Sequence, residues 1–106
     1  MRLSIAEKKN FRRIGHELKP VVMTGGQGLT ENVLAEIDRA LEDHELIKVR
    51  ISADDRDDRA AAMKMVGSHC KAEIVQTIGK IVLLYRPARK PNPKLSNLLR
   101  LSHLKE

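Results

Sequence analysis

Gly25, Gly26, Gln27 and Gly28 place three glycines in four positions, between a short β-like run, Pro20 to Met23, and a helical pattern that opens at Thr30. Without Cβ atoms such a loop lets a ligand approach the main chain. The helix that follows adds unpaired N–H groups and a positive dipole end. That combination suits a phosphate. The motif alone fits equally well a tight turn that needs glycine for positive φ and binds nothing. A Walker-type loop would require Gly-Lys-Ser/Thr, whereas Gly28 is followed by Leu29 and Thr30, so nucleotide hydrolysis is disfavoured. KH domains also use a Gly-x-x-Gly loop on backbone nucleotides, although between helices rather than after a strand.

The cations nearest this loop in sequence are grouped. On a helix from about Ser4 to His16, Lys8, Lys9, Arg12, Arg13 and His16 share an arc of roughly 140°, opposite Leu3, Phe11, Ile14 and Leu18. Lys19 then leads toward the loop. Lys48 and Arg50 alternate with Ile47, Val49 and Ile51 on a strand and project together. Either group could be no more than a solvated face. The chain carries 20 Lys and Arg against 14 Asp and Glu, a net charge of +6. The charge is segregated: residues 1–20 hold six basic and two acidic side chains, residues 21–45 one and six, and residues 87–106 five and one. Glu31, Asp38 and Glu42 make the helix after the loop acidic, so a polyanion would have to meet it end-on. Phe11 and Tyr85 are the only aromatic residues, which argues against a base-stacking platform and for recognition of backbone and shape. The set points to an RNA-binding module.

Other chemistries find little support. Asp54, Asp55, Asp57 and Asp58 lack EF-hand spacing and read as helix capping and dipole complementation. His69 and Cys70 are adjacent and cannot ligate from one helix face, and His44 reads as the end of a helix. No metal site, cofactor or small-molecule substrate is expected, and no nucleophile, base and orienting group occur together. The chain reads as a non-enzyme. The single Cys70 cannot form an internal disulfide and fits a reducing, cytoplasmic setting. No run approaches the ~18 apolar residues of a membrane span, so a soluble protein is expected.

The elements that must position these groups follow from periodicity. Ser4 with Glu7 is a capping-box pattern for the first helix, ended by Gly15 and Lys19-Pro20. Val21 to Met23 reads as a short buried strand. Thr30 caps a second helix that packs Val33, Leu34, Ile37, Ala40 and Leu41 on one face. A strand over Leu46 to Ile51 and a third helix started by Asp54 to Asp58 follow. The last helix stripe is Ala62, Met63, Val66 and Cys70. Glu73 to Ile78 and Ile81 to Arg86 form a hairpin around Gly79-Lys80. The order α-β-α-β-α-β-β predicts an α/β fold, a compact two-layer sandwich with a four-stranded mixed sheet. Residues 1–87 form one domain. Residues 88–106 read as a basic, leucine-containing tail, mobile until docked, with at most a marginal helix, since fewer than ~12–15 residues rarely hold one alone.

The stretch LKPVVMTGGQGLTENVLAEIDRALEDHELIKVRI, from Leu18 to Ile51, with GKIVLLYRP, from Gly79 to Pro87, closely resembles the CRM domain (chloroplast RNA splicing and ribosome maturation), in its stand-alone bacterial YhbY form. The resemblance covers residues 2–87 and includes the order of elements. It implies a fold similar to the C-terminal domain of a bacterial translation initiation factor. It also implies an RNA-binding protein of precursor large ribosomal subunits, with ribosomal RNA and ribosomal proteins as partners. The loop Gly25, Gly26, Gln27 and Gly28 would contact RNA, flanked by Lys8, Lys9, Arg12, Arg13, Lys19, Lys48 and Arg50. The tail departs from the minimal bacterial form, and nothing of the family is carried onto it. The other reading is a protein-interaction module of the ribosome or its assembly factors, docking through the acidic helix or the tail with only non-specific RNA affinity.

Overall fold

The order of elements is α1 (Ile5–Gly15), β1 (Pro20–Met23), α2 (Glu31–His44), β2 (Leu46–Arg50), α3 (Arg56–His69), β3 (Glu73–Ile78), β4 (Ile81–Tyr85) and α4 (Asn97–Arg100). It is seen in a computed structural model that describes residues 3–24 and 28–101. Local chemistry sets the helix starts. Ser4 Oγ accepts from the Glu7 N–H while the Glu7 carboxylate accepts from the Ser4 N–H, a complete capping box. Thr30 caps α2 through the Val33 N–H, and Asp55 caps α3 through the N–H groups of Asp57 and Asp58. The β3–β4 hairpin turns at Gly79, whose φ of 56° is the left-handed conformation glycine tolerates.

The four strands form a mixed sheet in the order β1-β2-β4-β3, with β1 parallel to β2 and the other two pairs antiparallel. Alternation divides the side chains of β2 and β4 between two cores. Ile47, Val49, Val82 and Leu84 pack with Val22, Ile37, Leu41, Met63, Val66 and Cys70 beneath α2 and α3, the expected two-layer sandwich. Leu46, Leu83 and Val75 meet Leu3, Phe11 and Ile14 of the N-terminal segment on the opposite face. Helices therefore lie on both faces: α1 adds a partial third layer to the two-layer sandwich and covers only part of its own face. Gly15 allows the approach: a Cβ there would stand 2.7 Å from Leu83 Cδ2. α1 ends at Gly15, as the sequence predicts, and the same residue permits this close packing.

β1 differs from its expected character. Of its four residues only Val22 is buried, because β1 is an edge strand that α2 covers on one side alone.

As far as Leu101 the tail lies against the domain. Glu45 accepts from the Ala88 N–H (2.8 Å) and from Ser96 Oγ (2.6 Å). Asn97 Nδ2 donates to the Leu46 carbonyl (2.7 Å), and His44 Nδ1 donates to that of Leu95 (2.8 Å). Leu98 and Leu101 pack on the α1 core. The one-turn α4 is held by these tertiary contacts rather than by its own propensity. Residues 102–106 lie outside the described residues.

Candidate nucleic-acid interface

The parallel strands β1 and β2 end side by side at their carboxyl termini, the edge where ligands of open α/β sheets gather. The glycine loop leaves from this edge. Its entrance is fixed by Thr24, which is buried. The Thr24 N–H donates to the Arg50 carbonyl (3.0 Å), and Thr24 Oγ1 accepts from the Ser52 N–H (2.8 Å). Its exit is Gly28, at a φ of 71°, with nothing within 4 Å of where a Cβ would stand. The Thr30 N–H donates to the Gly28 carbonyl, and α2 begins at the next residue, so its positive dipole end faces the loop exit. Gly25, Gly26 and Gln27 lie outside the described residues. A cavity of about 470 Å³ lies alongside, lined by Thr24, Gly28, Leu29, Ile51, Ser52 and Ala62 among others.

Cations converge on the α1 side of this edge. Lys48 and Arg50 point to the same face as Leu46, toward α1, as strand alternation requires; Lys48 is half-buried and Arg50 exposed. Lys19 is exposed immediately before β1, and the last turn of α1, with Arg12 and Arg13, lies at the Gly15 contact with Leu83. Lys9 is exposed and Lys8 half-buried one turn earlier, farther from the loop. Lys48, Arg50, Arg12 and Arg13 are thus brought to one side of the sheet, and Lys19 stands exposed at its edge, just before Pro20. Lys8 and Lys9 extend that side along the helix.

Two carboxylates of the acidic face of α2, Asp38 and Glu42, are engaged within the chain. Arg86 donates to Asp38 Oδ1 (2.6 Å) and to the carbonyls of Asp38 and Cys70, and its guanidinium stands 3.5 Å from Glu42. Glu42 also accepts from the Arg89 N–H (2.9 Å). The aspartates before α3 have structural partners as well: Asp55 caps the helix, and Asp54 pairs with Lys80 at 2.8 Å, which holds the Asp54 carboxyl below its ordinary range. Among the described residues no group of three or more His, Cys, Asp or Glu could hold a metal ion.

Both aromatic residues belong to the core. Phe11 and Tyr85 pack with ring centroids 4.7 Å apart, and burial pushes the Tyr85 hydroxyl pKa up, with the Glu45 and Glu7 charges adding to the effect. Burial likewise raises the Cys70 thiol. Sequence reasoning missed the Glu45, Ser96 and Asn97 cluster, since partners 43 to 51 residues apart leave no local pattern. It also missed the exposure of Val21 and Met23, which depends on what lies beside β1.

Comparison with known proteins places these features in a group. The family described as the CRS1 / YhbY (CRM) domain matches residues 3–86. A Pseudomonas aeruginosa protein named a "probable RNA-binding protein" is 49% identical over 102 residues, covering 96% of this chain and 98% of its own length. A Haemophilus influenzae protein named an RNA-binding protein is 46% identical over 93 residues, covering 88% and 94%. The solution structure of a Staphylococcus aureus protein, described as a candidate RNA binder, superposes with a TM-score of 0.74 at 30% identity. It covers 90% of this chain and 98% of that one.

Proposed function

The chain belongs to the CRS1 / YhbY (CRM) domain family, and we propose from that premise that it is a non-enzymatic, cytoplasmic RNA-binding protein of precursor large ribosomal subunits. It aids their assembly by holding ribosomal RNA. The observation that supports the reading is that Lys48, Arg50 and the α1 cations share one side of the sheet, at the strand end from which Thr24 leads into the glycine loop, with Lys19 exposed at that edge. The main-chain N–H groups of Gly25 to Gly28 and the start of α2 approach the sugar–phosphate backbone, and Arg12, Arg13, Lys8 and Lys9 extend the positive surface. The names of the Pseudomonas aeruginosa and Haemophilus influenzae relatives support RNA as the ligand.

The protein-docking alternative has fewer surfaces to use. Asp38 and Glu42 are held by Arg86 and Arg89, and Leu98 and Leu101 are already packed. Ultraviolet crosslinking in growing cells, followed by sequencing of the attached RNA, tests the assembly role. Clustered sites in large-subunit ribosomal RNA, enriched in precursor particles, are expected. Crosslinks scattered over unrelated transcripts, with a protein partner retained after complete RNA digestion, would contradict it and favour protein docking.

A further inference from the structure

On the α1 side of the sheet, cross-strand neighbours form three successive rows. The first, Leu46, Tyr85 and Glu73, lies under α1 and α4, with Leu46 fully buried and Tyr85 packed on Phe11. The second, Pro20, Lys48, Leu83 and Gln76, is where α1 stops, with Gly15 pressed on Leu83. The third is Met23, Arg50, Ile81 and Ile78. No helix of the described residues covers it. Met23 is 65% and Ile78 64% exposed, and Val21, beside the inward-facing Val22, is 48% exposed. A shallow cavity of about 120 Å³ separates the second and third rows, lined by Lys48, Gln76, Ile78, Ile81 and Leu83.

Isolated exposed apolar side chains need no explanation, but an uncovered apolar row on a sheet face, broken only by Arg50, does. This strip is framed by charge of one sign. Lys48 and Arg50 stand within the rows and Lys19 precedes Pro20, while Glu73, in the covered first row, is the one carboxylate that the strands place on this face among the described residues. Its complement is a polyanion that also presents flat apolar faces at every repeat. A nucleic-acid duplex hides those faces in its stack; an unpaired strand exposes them. We infer that the third row receives unpaired RNA bases, with Met23, Ile78 and Ile81 against the base faces, Gln76 at a base edge, and Lys48 and Arg50 on the neighbouring phosphates. The inference rests on the RNA-binding reading and deepens it, since the shortage of aromatic residues pointed to backbone contact alone. Aliphatic side chains give bases an apolar seat without ring stacking.

The test uses the full chain carrying Met23→Ser with Ile78→Ser, both on exposed side chains, with the native fold checked by circular dichroism. Binding is measured to a single-stranded oligoribonucleotide of mixed sequence and to a duplex of the same length, across a salt series. The inference expects about tenfold weaker binding of the single strand by the variant, from lost apolar contact. The salt slope should be unchanged because no phosphate contact is removed, and duplex affinity should be unaltered. Equal single-strand affinity of the two proteins, with salt-dependent binding intact, would overturn the inference and leave the RNA-binding reading standing. Absence of salt-dependent binding by the unaltered protein would overturn both. A concentration-dependent dimer that the double variant abolishes, with single-strand affinity unchanged, would make the strip a contact between copies and overturn the inference.

Discussion

Ser96, buried in the docked tail, donates a hydrogen bond from its hydroxyl to Glu45, and the same carboxylate accepts one from the Ala88 N–H. Ser96→Ala leaves one buried carboxylate oxygen without its donor, which should lower stability by about 1–3 kcal/mol. A fall in the urea midpoint at unchanged m value checks this, and an unchanged midpoint would show that the tail is fastened elsewhere. Tyr85 supplies a second check. Its pKa is raised above the ordinary 10.0, first by burial and then by the Glu45 and Glu7 charges. Because the folded form holds the proton more tightly, this contribution to stability is present below about pH 10 and is lost as the pH rises through Tyr85's own pKa. With one tyrosine and no tryptophan in the chain, absorbance at alkaline pH reports this group alone. Its midpoint in the native protein should lie above that in urea. Residue identities made the caps legible: Ser4 with Glu7, and Thr30, behave as their types and spacing require. Glu45 was silent, because its partners, the Ala88 N–H and the Ser96 hydroxyl, lie 43 and 51 residues away in sequence.

At the scale of elements, period and capping located the seven main segments, since each has an apolar stripe or alternation strong enough to appear within one window. Two features escaped. β1 reads as an unbroken apolar run, Val21, Val22 and Met23, and such a run looks buried; only the order β1-β2-β4-β3, which puts it at an edge, shows that two of the three are exposed. Gly15 ends α1 as its type suggests, but its second role, a missing side chain that lets α1 rest on Leu83, depends on a residue far along the chain. Gly15→Val should therefore overpack that contact and cost about 1–3 kcal/mol, read as a lower melting temperature. A variant as stable as the unaltered protein would show that Leu83 can move aside freely. The seating of α1 matters for function, because the same contact fixes how far the helix extends over the sheet and hence where its cations stand relative to Lys48 and Arg50.

Across the whole molecule, charge rather than fold distinguishes the two sides. The net +6 was plain from composition, and its grouping at the N-terminal helix could be read along the chain. What the sequence left open was whether Lys48 and Arg50, some thirty residues from that helix, share its side; the strand register answers this by placing them in the rows next to the end of α1. A surface assembled this way should bind RNA with a steep salt dependence, each neutralised phosphate of a single strand contributing about −0.7 to the slope of log affinity against log salt. The most direct test is that slope for the unaltered protein and for Arg12→Glu with Lys19→Glu, on one single-stranded RNA. Weaker binding by the double variant and a slope flatter by about 1–2 would support this surface as the RNA interface. Identical affinity and identical slope in a folded double variant would contradict it.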